Sequence, residues 1–406
     1  VAESARHIVI IGAGPIGLEA ALAALDAGYL VNVYEKGQVA ENVRDWGHAR
    51  LFSSFGLNSS SRGREVFQKS GGDLSEIDSF ITGREFAARY LIPLAKSPLL
   101  AERVHEQTSV RYIGRCSLHK WEAIGQPSRV EDGFRLLVQD EQGERYETAD
   151  IVLDCSGTYP HHNWIGAGGI PCVGETAALT ARDYRIPDIT TSQRSRFIGC
   201  QTVVIGSGYS AATAVVGLAE LAVWDPTTRI VWITRNAGAA PMTRIENDTL
   251  PERDRLSRTA NTLALDAESS VEWMPERQIV GIQSRGDADG YLLRLEGPHG
   301  VEELPVDRVI ANVGYRPDRN LYEELQVHEC YASQGPIKLA AALLGETSTD
   351  CLDQSDPDPQ TLVNPEPGFF ILGAKSYGRD SRFLINIGLK QIDEVMTLLA
   401  KAEQGQ

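Results

Sequence analysis

Short apolar runs alternate with glycine-rich turns along this chain, and the period of the apolar positions changes at each turn. His7-Ile-Val-Ile-Ile11 is a continuous apolar run of strand length. It meets the turn Gly12-Ala-Gly-Pro-Ile-Gly17. Leu18 to Ala27 is then rich in Ala and Leu, as a buried helix is, and stops at Gly28. Tyr29-Leu-Val-Asn-Val-Tyr34 is a second strand run, ending at Glu35. The pattern predicts a βαβ unit with a right-handed crossover and a parallel strand pair.

The same order returns near residue 202. Thr202–Ile205 predicts a strand, Gly206-Ser-Gly-Tyr-Ser-Ala211 a turn, Ala212 to Val223 a helix and Arg229–Thr234 a strand. Between the copies, Thr82 to Leu94 predicts a helix. Arg111–Trp121, Phe134–Asp140 and Glu144–Thr148 predict antiparallel strands, with turns at Glu131-Asp132-Gly133 and Glu141-Gln142-Gly143. Asp150–Asp154 is an apolar strand running into Cys155-Ser156-Gly157. Residues 44–68 and 158–198 show no period. Further strands are expected at 277–284, 291–296 and Asp307–Asn312, the last running into Val313-Gly314-Tyr315-Arg316-Pro317. A polar loop over 345–367, a strand at Phe369–Leu372, Gly373 and a helix from Gly388 to Ala402 complete the chain.

Each copy therefore reads as βαβ, a β insertion and a strand closed by glycine. The repeat is far too long for a solenoid. It predicts an α/β chain with two Rossmann-like dinucleotide-binding domains, the second (161–317) inserted into the first (1–160 and 318–406).

Composition narrows the functional classes. The 406 residues are 42% hydrophobic and 23% charged, ample for large cores. The net charge of −16 opposes binding to nucleic acid or to anionic membranes. The most apolar stretch, Ile8 to Val33, contains Glu19 and Asp26 and does not read as a membrane span. Cys116, Cys155, Cys172, Cys200, Cys330 and Cys351 are nowhere closer than 17 positions, which excludes a sequential redox dithiol and zinc-ligand spacing. A reducing cytoplasm is the expected compartment. Val1 to His7 is too short for a targeting peptide.

The two turns carry the candidate chemistry. Gly12 makes the tight turn, Gly14 lets backbone approach a pyrophosphate, and Gly17 lets helix and strand pack closely. Pro15 opens the helix, whose N-terminal dipole favours phosphate. Glu35 is placed to accept from ribose hydroxyls, with Lys36 beside it. In the second copy the positions are Gly206, Gly208 and Ala211, with Tyr209 and Ser210 between. Its second strand is followed by Arg235 instead of an acid. An Arg there suits a 2′-phosphate, which favours NADPH, with NADH the alternative.

With these motifs together, the chain resembles the flavoproteins with two dinucleotide-binding domains: flavin-containing and N-hydroxylating monooxygenases and pyridine nucleotide-disulfide reductases. The resemblance covers nearly the whole length. It implies FAD at the Gly12 turn and NADPH at the Gly206 turn, with Gly157, Gly314 and Gly373 in the strand-plus-glycine segments. It also implies a helix N-terminus near Asn386 directed at the flavin. Two features depart from that pattern. Lys375 and Ser376 follow Gly373 where the family usually has Asp, so that Asn386 or Arg379 is a candidate replacement. The His ahead of the second glycine turn is absent.

The leading expectation is a monooxygenase acting on a small molecule through a C4a-hydroperoxyflavin and molecular oxygen. Leu51 to Asn58 resembles the Leu/Asn stretch of flavin-containing monooxygenases, which implies Asn58 as the catalytic hydrogen-bonder and Trp46 against the flavin. The alternative is an NAD(P)H-dependent reductase or oxidase without a redox cysteine pair. A dinucleotide-sensing module without turnover is the third class. Cys155 and Cys172 lie near cofactor segments, where a buried thiol is structural. His161 and His162 are candidate proton donors. No metal site is expected, and oligomeric state is not legible.

Overall fold

The computed structural model describes residues 5–286, 290–345 and 358–405. Cys351 and much of the loop expected at 345–367 lie outside the described residues. The chain divides into two units, residues 1–161 with 316–406, and residues 162–315.

The strands of unit 1 begin with β1 (His7–Ile11), β2 (Leu30–Tyr34) and β3 (Val104–His105). Then come β4 (Ser109–Arg115), β5 (Phe134–Asp140), β6 (Gly143–Ala149) and β7 (Ile151–Asp154). Unit 2 contributes β8 (Gln201–Ile205), β9 (Arg229–Ile233), β10 (Val271–Met274), β11 (Gln278–Ser284), β12 (Tyr291–Gly297), β13 (Gly300–Val306) and β14 (Arg308–Ala311). The chain returns to unit 1 for β15 (Phe369–Ile371) and the helix Ile385–Glu403.

Unit 1 is built on a parallel sheet of order β15-β7-β1-β2-β3. Its central strands are apolar throughout because both faces are covered. Ile8, Ile10, Ile151 and Leu153 pack into one core with the helix Pro15–Asp26, while Val9, Ile11 and Val152 pack into another. The second core includes Phe134, Leu136 and Val138, the inward positions of β5. The sheet β4-β5-β6 is antiparallel, so β5 alternates buried and exposed residues. Two guanidiniums, Arg115 and Arg129, close on the fully buried Glu366 carboxylate at 2.7 Å each and tie this sheet to the segment before β15. A second buried node joins the helix Pro15–Asp26 to its surroundings: Tyr90 Oη and Ser60 Oγ both donate to Glu19 at 2.6 Å.

Unit 2 repeats the plan with a parallel sheet of order β10-β9-β8-β14 and an antiparallel sheet β11-β12-β13. The helices Tyr209–Trp224 and Pro251–Leu265 flank its parallel sheet. The first and last residues of the unit pair with each other. His162 and Tyr315 form an antiparallel bridge, and Asn163 N donates to Gly314 O at 2.9 Å.

Local physics explains several departures from the pattern. The helix expected over Thr82–Leu94 starts with a Thr82/Glu85 capping box but widens to a π-helical turn over Ala87–Leu91, ahead of Pro93. The strand expected to reach Trp121 stops at Arg115, because Ser117 turns to bind Asp132 through its amide and hydroxyl. The aperiodic stretch at 44–68 holds the helix Ser61–Lys69, capped by the Ser60 hydroxyl on Gly63 N. The last helix begins earlier than Gly388, at Ile385. Among the described residues, no helix is long and apolar enough to cross a membrane.

Candidate functional site

Each unit carries a glycine turn between the first strand of its parallel sheet and the helix that follows that strand, and the two turns share their stereochemistry. Gly12 has φ +99°, and a Cβ there would lie 2.8 Å from Cys155 O at the end of the neighbouring β7. Gly206 has φ +124°, and a Cβ would lie 2.2 Å from Asn312 O beyond the neighbouring β14. Both positions demand glycine on conformation and on space. Gly14 and Gly208 cap the following helices, and a Cβ on either would meet nothing within 4 Å. Each turn therefore presents an open helix N-terminus, the environment that receives a phosphate. Pro15 and Tyr209 are the first helical residues, and Ser210 follows. Gly17 packs so closely that a Cβ would lie 1.8 Å from Gly12 O, while Ala211 is fully buried.

Glu35 follows β2. Its Oε2 accepts from Ala13 N at 2.8 Å and its Oε1 from Gly37 N at 2.9 Å. Two backbone amides thus fix the carboxylate beside the turn and leave lone pairs for further donors. Burial pushes the Glu35 carboxyl above the usual range, and the amides of Gly37 and Ala13 pull it back. Lys36 is exposed beside it, and Arg235 is exposed after β9.

At the end of β7, Gly157 has φ +69° and open space over it. Gly373 follows β15 with φ +70°, its N–H donating to Gln391 Oε1 at 2.9 Å. Asn386 lies in the first turn of the helix Ile385–Glu403, and its Oδ1 is buried without a hydrogen-bond partner. Gly314 in unit 2 has φ +84° and lies against the Asn163 amide.

The Lys375 that follows Gly373 is a buried structural group. Its Nζ donates to Asp154 Oδ2 at 2.6 Å and to Ser156 Oγ at 3.0 Å, with Lys375 and Asp154 side chains both 0% exposed. Asp154 Oδ1 accepts from Ser156 N and Oγ. This ion pair fastens the loop after β15 to the end of β7. The signal in the sequence was a lysine where an acid was expected; its partner is distant and was missed.

Asn58 and Trp46 are both engaged by protein groups. Asn58 does not present a free amide. Its Nδ2 donates to Ser53 O at 3.0 Å and Ser54 O at 2.9 Å, and its Oδ1 accepts from Ser53 Oγ at 2.9 Å. The side chain is 1% exposed and closes its own loop, so the catalytic reading of Asn58 has no free donor behind it. Trp46 packs against Gly83, where a Cβ would lie 2.5 Å from its ring.

The remaining candidates separate by unit. His161 in unit 1 lies 3.6 Å from Asp318, and burial holds its pKa below the ordinary value. His162 in unit 2 stacks on Tyr184 at 3.5 Å between ring centroids. Burial pushes the Cys155 thiol far up and the Cys172 thiol up to about 12, so neither is a ready thiolate.

No protein-family model matches the chain, and no curated protein sequence matches it. Solved structures do. Bacillithiol disulfide reductase from Bacillus cereus aligns with a TM-score of 0.68 at 16% identity, covering 98% of this chain and 100% of its own. An ornithine N-hydroxylase from Kutzneria sp. 744, solved with reduced FAD, NADP+ and L-ornithine, aligns with a TM-score of 0.62 at 17% identity over 98% and 100%. Thioredoxin reductase from T. acidophilum aligns with a TM-score of 0.58 at 16% identity over 97% and 99%. The chain has the fold of the flavoproteins with two dinucleotide-binding domains. Within that flavoprotein fold, the Gly12 turn lies in the discontinuous unit and the Gly206 turn in the continuous one.

Proposed function

We propose that this chain is an FAD-dependent NAD(P)H oxidoreductase of small molecules, with FAD on unit 1 and the nicotinamide dinucleotide on unit 2. The observation that carries this reading is the pair of matched turns: a blocked left-handed glycine, then an open glycine at a helix N-terminus, in each unit. Likeness to flavoenzymes at low identity supports the fold and leaves the activity to these residues.

The residues of unit 1 fit FAD. The Gly14 N–H and the open helix N-terminus that Pro15 begins would receive a pyrophosphate, Pro15 itself carrying no N–H. Glu35, held by Ala13 and Gly37, accepts from ribose hydroxyls. Asn386 Oδ1, a buried acceptor with no partner, suits a hydroxyl or N–H donor on the cofactor. In unit 2, Gly208 and Tyr209 open toward the second pyrophosphate, and Arg235 supplies a cation for a 2′-phosphate, so NADPH is preferred over NADH. Bound FAD would supply two-electron exchange with a nicotinamide and with a small acceptor. The described cysteines are free and burial pushes the Cys155 thiol far up, so the scheme uses no dithiol relay.

Monooxygenation, with molecular oxygen as the acceptor, is the first reading of the acceptor half-reaction. The occupied Asn58 amide favours a second, reduction of an organic acceptor without oxygen. The test is anaerobic reduction of the purified yellow protein with NADPH and with NADH, followed by rapid mixing with oxygen. Bleaching by NADPH faster than by NADH is expected. A transient spectrum unlike either oxidised or reduced flavin supports monooxygenation, and direct return of the oxidised spectrum supports the second reading. A protein without flavin, or one bleached by neither nicotinamide, refutes the proposal.

A further inference from the structure

A carboxamide stands between two imidazoles across three strands of the parallel sheet of unit 1. His7 opens β1, Asn32 lies within β2 and His105 ends β3. Asn32 Nδ2 is 3.1 Å from His7 Nε2, and Asn32 Oδ1 is 3.0 Å from His105 Nε2. On its other side, His7 Nδ1 is 2.9 Å from Thr148 O on β6. A backbone carbonyl only accepts, so neutral His7 carries its proton on Nδ1. Its Nε2 then accepts from the Asn32 amide. That leaves Asn32 Oδ1 to accept from His105 Nε2–H.

This order of donors and acceptors limits the protons the group can hold. An extra proton on His105 enters at Nδ1 and leaves the bonds to Asn32 intact. An extra proton on His7 enters at Nε2, and the Asn32 amide must turn over to accept from it. Neutral His105 then accepts at Nε2 from Asn32 Nδ2. With both rings charged, two N–H groups face a single oxygen, and one of them meets the amide NH2 instead. The group therefore accommodates one extra proton and not two. The surrounding charges do not relieve this. Tyr34 of β2 stacks on His105 at 5.2 Å between ring centroids. On β6, Arg145 is paired with Glu147 at 2.8 Å, and Asp150 Oδ2 accepts from the His7 backbone N–H at 2.7 Å. The charged chain neighbours are engaged elsewhere: Arg6 with Glu403 at 3.5 Å, Arg103 with Leu99 O at 2.9 Å and Glu106 with Val39 N at 2.5 Å. Burial, and after it Arg145, lower the affinity of His105 for a proton, with Glu147 opposing.

The strand that His105 ends carries the segment after β2. The edge strand β3 is only two residues long, Val104 and His105, so side-chain bonds are a large part of what holds it. Glu35 N donates to His105 O at 3.0 Å, Thr108 N to Glu35 O at 2.8 Å and Gln107 N to Gly37 O at 2.9 Å. Gly37 N in turn donates to the Glu35 carboxylate at 2.9 Å. We propose that His7, Asn32 and His105 form an acid-sensitive clasp that holds the Glu35 segment in place and loosens it, and with it the bound cofactor, when a second proton enters. The cofactor clause rests on the oxidoreductase reading; the clasp itself does not. The closed form refuses a proton that the open form takes up. The clasp is therefore intact above the ordinary imidazole value of about 6.5 and weakens as pH falls below it.

The test is amide hydrogen exchange of the purified protein at about pH 7.5 and about pH 5.5, corrected for the intrinsic rate, with flavin released into an ultrafiltrate measured in the same buffers. At the lower pH, protection of the Glu35, Gln107 and Thr108 amides is expected to fall about tenfold or more, and flavin release to rise with it. His7→Gln and His105→Phe each leave one titrating ring, which the clasp tolerates, so each is expected to abolish the fall. The Phe also keeps a ring against Tyr34. Asn32→Asp places a carboxylate that accepts from both charged rings, and protection is expected to be higher at the lower pH, a reversal of sign. A group that merely supports the sheet would lose protection at both pH values alike in all three variants. No fall in the wild type, or a fall that persists in all three variants, would overturn the proposal. A fall without release of flavin would overturn its cofactor clause. A protein that carries no flavin yet shows the fall and its reversal would defeat the oxidoreductase reading and leave the clasp standing.

Discussion

Replacing Lys375 by Met should be among the most damaging single changes in unit 1, although the side chain reaches no solvent. The Nζ of Lys375 is 2.6 Å from Asp154 Oδ2, and both side chains are 0% exposed. Met fills a similar volume but takes away the cation, leaving a carboxylate in the interior with only the Ser156 amide and hydroxyl as donors. Removing one partner of a buried pair costs about 3–5 kcal/mol, because the other charge stays buried and uncompensated. For a domain of roughly 150–250 residues, each kcal/mol lowers the melting temperature by about 2–4 °C, so a fall of about 6–20 °C is expected. Scanning calorimetry of the wild type, Lys375→Met, Asp154→Asn and the double variant tests this. The double variant removes both charges and should recover at least about half of the loss, the signature of a coupled pair. A single-variant loss below about 1 kcal/mol, or a double variant that falls by the sum of the singles, would refute the buried-charge argument.

Further expectations can be checked with the same protein. Gly206→Ala should cost about 1–3 kcal/mol or more, because its Cβ meets Asn312 O at 2.2 Å with φ +124°, whereas Gly208→Ala has open space and should leave stability unchanged while weakening nucleotide binding; calorimetry with and without NADP+ separates the two. Arg235→Ser should raise the KM for NADPH about tenfold or more and leave that for NADH unchanged in steady-state reduction assays. Cys330 accepts from the Ser333 hydroxyl and then from the Ser333 and Ala332 amides, which lowers its pKa. It should therefore alkylate at lower pH than an ordinary thiol of about 8.5, and ahead of Cys155 and Cys172, as followed by mass spectrometry. A lowered pKa adds stability above the unfolded value that is lost as pH falls through the folded value, and Ser333→Ala should shift the labelling curve upward.

What the chain discloses to a reader of its sequence depends on how local the controlling physics is. The Gly12 and Gly206 turns are legible because left-handed backbone, close strand approach and an open helix N-terminus each need glycine at a fixed offset. Glu35 is legible because it ends a strand a set distance after the turn. The strand β5 shows in its period of two. The buried charges are not legible: Asp154 meets Lys375 across 221 positions and Arg129 meets Glu366 across 237, and no periodicity links such residues. Asn58 is ambiguous in the sequence for a related reason. An asparagine that closes its own loop and one that faces a ligand share the same polar, turn-forming neighbours in sequence, and only its bonds to Ser53 and Ser54 distinguish them. The helix Ser61–Lys69 escaped notice because its mean character is polar and its start depends on the Ser60 cap.

The pairing of His162 with Tyr315 means that unit 2 starts and stops at one point in space. A module whose ends are already joined can be exchanged without leaving its host a gap to close. The loop-closure entropy of whatever replaces it grows only with the logarithm of its length. Residues 162–315 can therefore be treated as a cartridge. A graft made between residues 161 and 316, preserving the Arg316 N–H on His161 O, would let the dinucleotide preference be changed by transplanting a whole unit.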